Sequence, residues 1–483
     1  MIEEEGMRAL AEHSMNLRLR CDDQGAQARP RSAIKGNWQH FLLIGLLIAP
    51  FGSRAQDVPA ATSRVGEPGP LEDERFSVHF QMTAATQYHP AFAAKYSGQN
   101  SLEAQAESAT AMVATGFLDL RLWRGAEVIF NPELSGGSGL SKTLGVGAFP
   151  SGLVYRVGSP APAVYIARLA FKQTLGLGGG TVLVEAGPNQ VSGHRDRDSL
   201  TVYVGRLSVT DMFDGNAYAH DPTTRFFNWA LFASGAWDYP ADTRGYTYGL
   251  LSDLSINWWS VRAGLAMLPQ YSNLMVMETR LDKARGLMAE FEARYAPRGR
   301  KGSARLLLFL NDARMGSYQQ VTENPNAYGN EVSATRVFGR TKYGFAISVD
   351  QEISDSLGAF LRVSANDGAN ETWAFAEIDQ SLAVGGVQKG TLWRRPDDEF
   401  GVAIVIGGLS YWHRKYLEGG GYGFMIGDGA LRFGPETILD AYYRLQVVPH
   451  IAISGIYQLV ANPGYNQDRG PVHIFSARLR VDL

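Results

Sequence analysis

The densest set of chemically competent side chains falls between Asp211 and Asn228. Asp211, Asp214, His220, Asp221 and Arg225 stand there among aromatic residues, with Trp229 and Trp237 close behind. Two kinds of chemistry suit such a set. Aromatic rings beside charged and amide groups can hold a polyhydroxylated solute, Arg donating charge-assisted hydrogen bonds to its hydroxyls. Alternatively, Asp211, Asp214, His220 and Asp221 form an oxygen-rich donor set suited to a divalent ion such as Mn2+. Their spacing does not enforce ligation, and Asx side chains in loops commonly bond their own backbone instead. Catalysis has less support. Ser77 and His79 share a face, yet no Gly-x-Ser-x-Gly elbow and no phosphate-binding loop occurs. The one cysteine, Cys21, excludes a disulfide framework and a multi-thiolate zinc site.

These side chains must be positioned by strands. Phe76, Val78, Phe80, Met82 and Ala84 alternate with Ser77, His79, Gln81 and Thr83, and Phe475, Ala477, Leu479 and Val481 alternate with Ser476, Arg478, Arg480 and Asp482. Such strict alternation indicates half-buried strands, and roughly sixteen runs of spanning length can be counted. Tyr165, Ala167, Leu169 and Phe171 are expected to face away from Arg168 and Lys172. Charges recur on the polar face: Arg121, Arg168, Lys172, Arg262, Glu290, Glu292, Arg294, Asp350, Glu352, Arg362 and Arg444. They would be costly in lipid but tolerable around a water-filled lumen, where they either select solutes or pair to stiffen the wall. Gly178-Gly-Gly180 and similar Gly/Pro/Asn/Asp clusters read as turns. No long capped helix is expected after Asp73, and helix-like spacing from Asp221 to Ala233 falls inside a loop.

Composition agrees with a membrane barrel better than with a soluble protein. The 483 residues would make about three soluble domains, but only 19% are charged, 11% are aromatic and 54 are glycine. The net charge of −3 excludes a strongly basic nucleic-acid binder. No run of about 20 apolar residues is present, so a closed barrel is the remaining way to span lipid with every backbone group paired. Aromatics at run ends, namely Tyr88, Trp123, Trp258, Trp259, Tyr295 and Tyr343, fit interfacial girdles.

The short apolar stretch Phe41–Ala49 follows Arg29, Arg31 and Lys35 and precedes Ser53-Arg-Ala55. This predicts a secretory signal cleaved after Ala55. Residues 1–34 exceed the usual signal length, and Met7 and Met15 offer later starts. Residues 56–73, rich in Pro, Gly and Ala, read as a flexible linker ahead of a barrel domain over 74–483.

Several segments go beyond pattern. They are Leu120-Arg-Leu-Trp-Arg-Gly-Ala-Glu-Val-Ile-Phe-Asn-Pro-Glu133 and Gly139-Leu-Ser-Lys-Thr-Leu-Gly-Val-Gly-Ala-Phe-Pro-Ser-Gly152, then Val209-Thr-Asp-Met-Phe-Asp214 and Tyr218-Ala-His-Asp-Pro222. Phe227-Asn-Trp-Ala-Leu231, Asp238-Tyr-Pro240, Gly245-Tyr-Thr-Tyr-Gly249, Gly434-Pro-Glu436, Ala441-Tyr-Tyr443 and Asn462-Pro-Gly-Tyr-Asn-Gln-Asp-Arg-Gly-Pro471 follow in order. Together they resemble the carbohydrate-selective (OprB-type) porin family over most of residues 76–483. The resemblance implies an all-β transmembrane antiparallel barrel whose loops fold inward to a constriction. It also implies facilitated diffusion of carbohydrates or similar small polar solutes, without a cofactor. Manganese-selective pores in the same broad group supply the alternative; a hydrolase or surface receptor is the more remote one. The expected location is the outer membrane of a Gram-negative bacterium after Sec-type export. The expected partners are outer-membrane lipid and lipopolysaccharide, the solute and the barrel-assembly machinery, with no nucleic acid; a homo-oligomer is left open.

Overall fold

Apolar–polar alternation becomes sixteen antiparallel strands closed into one barrel. The computed structural model describes residues 74–154 and 161–483; the leader 1–55, with its signal and cleavage site, and the linker 56–73 lie outside the described residues. The first eight strands are β1 (Phe76–His89), β2 (Glu107–Trp123), β3 (Ala126–Gly137), β4 (Ala163–Val184), β5 (Gly193–Leu207), β6 (Thr247–Ile256), β7 (Trp259–Ala266) and β8 (Arg285–Tyr295). The rest are β9 (Gly302–Met315), β10 (Val337–Glu352), β11 (Leu357–Asn366), β12 (Gln380–Lys389), β13 (Glu399–Gly408), β14 (Glu436–Val448), β15 (Ile451–Ala461) and β16 (Val472–Asp482). Each strand pairs with its neighbours in sequence. β1 and β16 close the ring in a register running from Gln81↔Asp482 to Tyr88↔Phe475.

Burial is inverted relative to a soluble protein. On β1 the apolar Phe76, Val78 and Phe80 are exposed, while Ser77, Thr83, Gln87 and His89 are buried. On β16, Phe475 and Leu479 face out and Ser476 and Arg478 face in. The largest fully buried side chains include Arg362, Arg478 and Lys342. An apolar outer belt, with charges buried inside among the aromatic and aliphatic side chains that pack the inward-folded loops, is the arrangement of a barrel solvated by lipid. Tyr88, Trp123, Trp258 and Tyr295 lie exposed at or near strand ends, as girdles require, whereas Tyr343 is exposed well inside β10.

The two ends of the barrel differ. One carries seven connections that are mostly short, such as 124–125, 257–258 and 449–450; the other carries eight longer loops. The third of these, L3 (residues 208–246), joins β5 to β6. The second, L2 (residues 138–162, of which 155–160 are outside the described residues), joins β3 to β4.

Three local expectations are corrected. The β3–β4 ladder breaks between Asn131↔Arg168 and Pro132↔Ile166, leaving Ala167 as the extra residue of a bulge. Pro132 has no N–H to give the ladder, and the bulge shifts the phase of β4. Tyr165 therefore turns inward onto Glu133 and Ala167 is buried, so of the four residues expected outside only Leu169 and Phe171 remain there. The loop spacing from Asp221 to Ala233 becomes a single turn, α1 (Trp229–Phe232), capped by the Asn228 side chain accepting from Ala230 N–H. A longer helix, Tyr411–Glu418, forms after Ser410, whose hydroxyl accepts from His413 N–H; this N-cap signal was present in the sequence.

Candidate functional site

L3 folds into the barrel and is fastened to its far wall by charges that point inward. The Asp214 N–H donates to Glu290 on β8 (2.7 Å), and the Asn216 amide donates to Ser348 on β10 (3.1 Å). Arg362 on β11 reaches the carbonyls of Leu231 (2.8 Å) and Asp214 (3.0 Å). The N–H groups of Phe227 and Asn228 share the Asp440 carboxylate on β14 (3.0 and 2.8 Å). On β13, Glu399 accepts from Arg225 (3.1 Å), and on β16, Arg478 donates to the Thr224 and Arg225 carbonyls (both 2.7 Å). An irregular loop cannot satisfy its own backbone inside a barrel, so the wall supplies the partners.

This fastening explains many of the charges singled out in the sequence. Asp214 also accepts from the Ser234 backbone and hydroxyl and lies 3.8 Å from Arg362. Arg262 bonds Glu290 and Glu292, and Glu292 also takes Arg305 (2.8 Å) and lies 3.5 Å from Arg294. Arg305 continues to Asp350 at 2.6 Å. Glu352 sits near the turn end, 3.6 Å from Arg300. Arg444, also near the turn end, bonds Gln446 (3.0 Å) and the Asp397 carbonyl (3.2 Å).

The near wall, β1 to β6, meets L3 through Arg168–Asp211, Arg206–Asp242 and Glu133–Tyr246 but leaves space beside these contacts. Three adjoining cavities run along it. The outer one, about 310 Å³, lies between L3 and β1–β4; Arg168, Asp211, His220, Asp221, Trp229, Phe232, Tyr239, Tyr165, Tyr246, Arg244 and Glu133 are among its walls. The middle one, about 500 Å³, shares Arg168, Asp211 and His220 with it and adds Lys172, Tyr203 and residues 187–190. The third, about 730 Å³, lies at the turn end; it shares Lys172 and Gln190 with the middle one and includes Arg121 and His194. Shared walls set these cavities in succession from the loop end toward the turn end.

At its narrow outer part the chemistry is mixed. Arg168 and Asp211 form a bidentate pair, both bonds 2.6 Å, with the guanidinium 5.3 Å from the Tyr246 ring. Glu133 accepts from Thr115 (2.7 Å), Tyr246 (3.0 Å) and Tyr165. The Arg244 guanidinium lies over Tyr165, 3.9 Å from the ring centre. Trp229 is set by a stack in which Tyr239 lies on Phe375 (4.5 Å) and Phe375 on Trp229 (5.1 Å). Asp221 accepts from Thr223 N–H (2.8 Å) and from the hydroxyls of Thr223 and Thr224. Burial works to raise its pKa, but Arg480 and these donors hold it below the usual carboxylate value. His220 has Phe232 O and Thr210 O at 3.1 and 3.0 Å from its two nitrogens, and burial, then Arg362, push its pKa down. Asp238 accepts from the N–H groups of Trp373 (2.8 Å) and Ala374 (2.7 Å); burial pushes it up to about 6.

The structure therefore brings Arg168, Asp211, His220, Asp221 and Trp229 together at the outer narrowing, with Lys172 and Arg121 further along. Asp214 and Arg225 belong to the side of L3 that is fastened to the far wall, Arg262, Glu290, Glu292 and Arg362 stand on that wall behind it, and Arg444 stands apart from them. Sequence reasoning missed Tyr165, hidden by the bulge, and Glu133, Arg244 and Tyr246. The last three had a signal, since the quoted stretch Gly245–Gly249 contains Tyr246 and borders Arg244, and the stretch Leu120–Glu133 ends on Glu133.

The family model for the carbohydrate-selective porin, OprB family, matches residues 94–483. Among solved structures, the high-pH structure of Pseudomonas putida OprB aligns with a TM-score of 0.65 at 16% identity, covering 85% of this chain and 94% of that one. The low-pH structure of the same protein aligns at 0.47 and 12% identity, covering 85% and 93%. The outer membrane channel DcaP of Acinetobacter baumannii aligns at 0.43 and 10% identity, covering 84% and 97%. No curated protein matches. The first alignment supports the fold, and the family match, spanning most of the chain and the cavity walls from β2 onward, supports the kind of protein: the chain belongs to the carbohydrate-selective porin, OprB family, and is an outer-membrane porin.

Proposed function

We propose that this porin passes carbohydrates by facilitated diffusion, selecting them between L3 and the β1–β4 wall. The observation that carries the reading is the pairing of ring surfaces (Trp229, Phe232, Tyr165, Tyr246) with fixed charged groups (Arg168–Asp211, Arg244, Glu133) around one narrow space. A sugar offers C–H faces to the rings and hydroxyls to the charges, so it exchanges its hydration shell for matching contacts. Because both charges of the Arg168–Asp211 pair are engaged, the site has little net pull on an ion. Conduction needs binding weak enough to release, and a partly hydrated cleft meets that need.

The divalent-ion alternative receives less support. Asp211, Asp214, Asp221 and His220 each turn to a different partner, and among the described residues no group of three or more His, Cys, Asp or Glu is placed to hold a metal ion. The leader 1–55 serves Sec-type export in this proposal, with 56–73 linking it to the barrel domain at 74–483. Liposome swelling tests the function. Vesicles carrying the protein should swell faster in monosaccharides than in amino acids or inert polyols of equal size, and equal rates would contradict sugar selection.

A further inference from the structure

Gly178-Gly-Gly180 is a bend inside a hairpin rather than its turn. β4 and β5 go on pairing from Gly176↔Ser199 to Val184↔Gly193, with register breaks on both sides of Gly178. β3 pairs with β4 only as far as Gln173, and β6 with β5 only as far as Ser199, so the hairpin beyond these points pairs with itself alone. Lys172 lies on the wall before this stretch and Asn189 at its tip, yet the Lys172 ammonium is 3.5 Å from the Asn189 carbonyl. A straight strand over that separation would reach about 55 Å. The hairpin therefore doubles back, and it does so where Gly178, Gly179 and Gly180 take φ of 93°, 74° and 93°, a region suited to glycine.

Doubled back, the tip enters the lumen from the turn end. Asn131, inward on β3, donates to the Asn189 side chain at 2.9 Å, and Arg121, inward on β2, donates to the Ser192 carbonyl at 2.8 Å. Residues 187–190 share the middle cavity with Arg168 and Asp211, directly below the narrowing made by L3. The hold on this tip is light beside the hold on L3. It rests on these neutral polar contacts, the Lys172 contact and the burial of Val191 and Ser192, whereas L3 is clamped by several buried arginines and carboxylates. A Cβ would meet nothing within 4 Å at Gly178 and only the Arg197 guanidinium, 3.9 Å away, at Gly180, while Gly179 lies against Asp198 and the Gly178 N–H donates to Asp196 (2.9 Å), so the bend is open on its outer side and tied to β5 on the other.

We propose that the β4–β5 hairpin is an inner gate of the channel, swinging at Gly178–Gly180 between its place in the lumen and a place beyond the turn-end rim. The inference concerns the path itself and holds for any small solute the channel passes.

The test uses the full chain carrying Cys21→Ser with Asn131→Cys and Asn189→Cys, bridged by a short reductant-cleavable bis-thiosulfonate. Planar-bilayer recordings are made on one channel before and after reduction. The bridged channel should conduct at a low, steady level, and reduction should raise the mean current at least about twofold (a shift in open-state population of this size is small against a few-kcal/mol equilibrium) and bring stepwise transitions. Equal currents before and after reduction overturn the gate. Since both states are read on one folded channel, misfolding cannot imitate the result. A second variant lacking residues 186–191 should conduct at a raised level without steps; wild-type conductance in that variant also overturns the proposal.

Discussion

Arg168 and Asp211 hold each other by two hydrogen bonds of 2.6 Å, and the pair faces both the outer and the middle cavity. Removing one member changes two things at once. Arg168→Ala deletes a donor for sugar hydroxyls and leaves a carboxylate unpaired in the path. Sugar affinity, read as block of ion current, should fall about tenfold, the worth of a hydrogen bond from a charged group. Reversal potentials in a salt gradient should shift toward cations in the same variant. A second residue-scale prediction concerns His220. Its folded pKa is lowered, first by burial and then by Arg362, so its contribution to stability is complete above 6.5 and is lost as pH falls through the lowered value. Wild type should lose thermal stability between pH 7 and 5 relative to His220→Gln, and equal pH profiles would contradict this. Most of the candidate residues at this scale were legible as types, because Asp, His, Arg and Trp crowd one segment. Their roles were less legible: whether an inward arginine faces solute or a loop carbonyl depends on what lies across the lumen, and alternation within a strand carries no information about that.

L3 is the element on which the site depends. The far-wall charges Arg362, Arg478, Glu290 and Asp440 exist to satisfy its backbone, and through it they set where Trp229 and Asp211 stand. Arg362→Ala leaves Asp214 and two carbonyls without their partner in a dry place and should cost about 3–5 kcal/mol. Arg444→Ala, at the half-exposed turn end, should cost no more than about 0.5 kcal/mol. Urea unfolding followed by tryptophan fluorescence compares the two, and similar losses would show that L3 is not held as described. Strand positions were readable because a period of two repeats along every wall segment. The phase slip at Pro132 and Ala167 was not, although Pro132 itself marked where a ladder could break. The glycine run at 178–180 likewise looked like a turn, since left-handed backbone serves a turn and a hinge equally.

Among the described residues, the barrel strands present an exposed apolar belt and turn most of their charges inward, where buried apolar side chains of L3 and the wall pack beside them, and this accounts for a composition with few charges and ordinary hydrophobicity. A charge placed on the outer belt should therefore be costly even though the position is exposed. Ile404→Arg, midway along β13 on the outer face, should destabilise the protein by about 2–4 kcal/mol in lipid vesicles. In a soluble protein an exposed isoleucine would tolerate the change. The central claim, that the space between L3 and the β1–β4 wall selects sugars, is tested most directly by single-channel current during sugar titration. Monosaccharides should reduce the current saturably in wild type, and Trp229→Ala should weaken that block several-fold. Unchanged current with every sugar, together with a saturable response to Mn2+, would contradict the account.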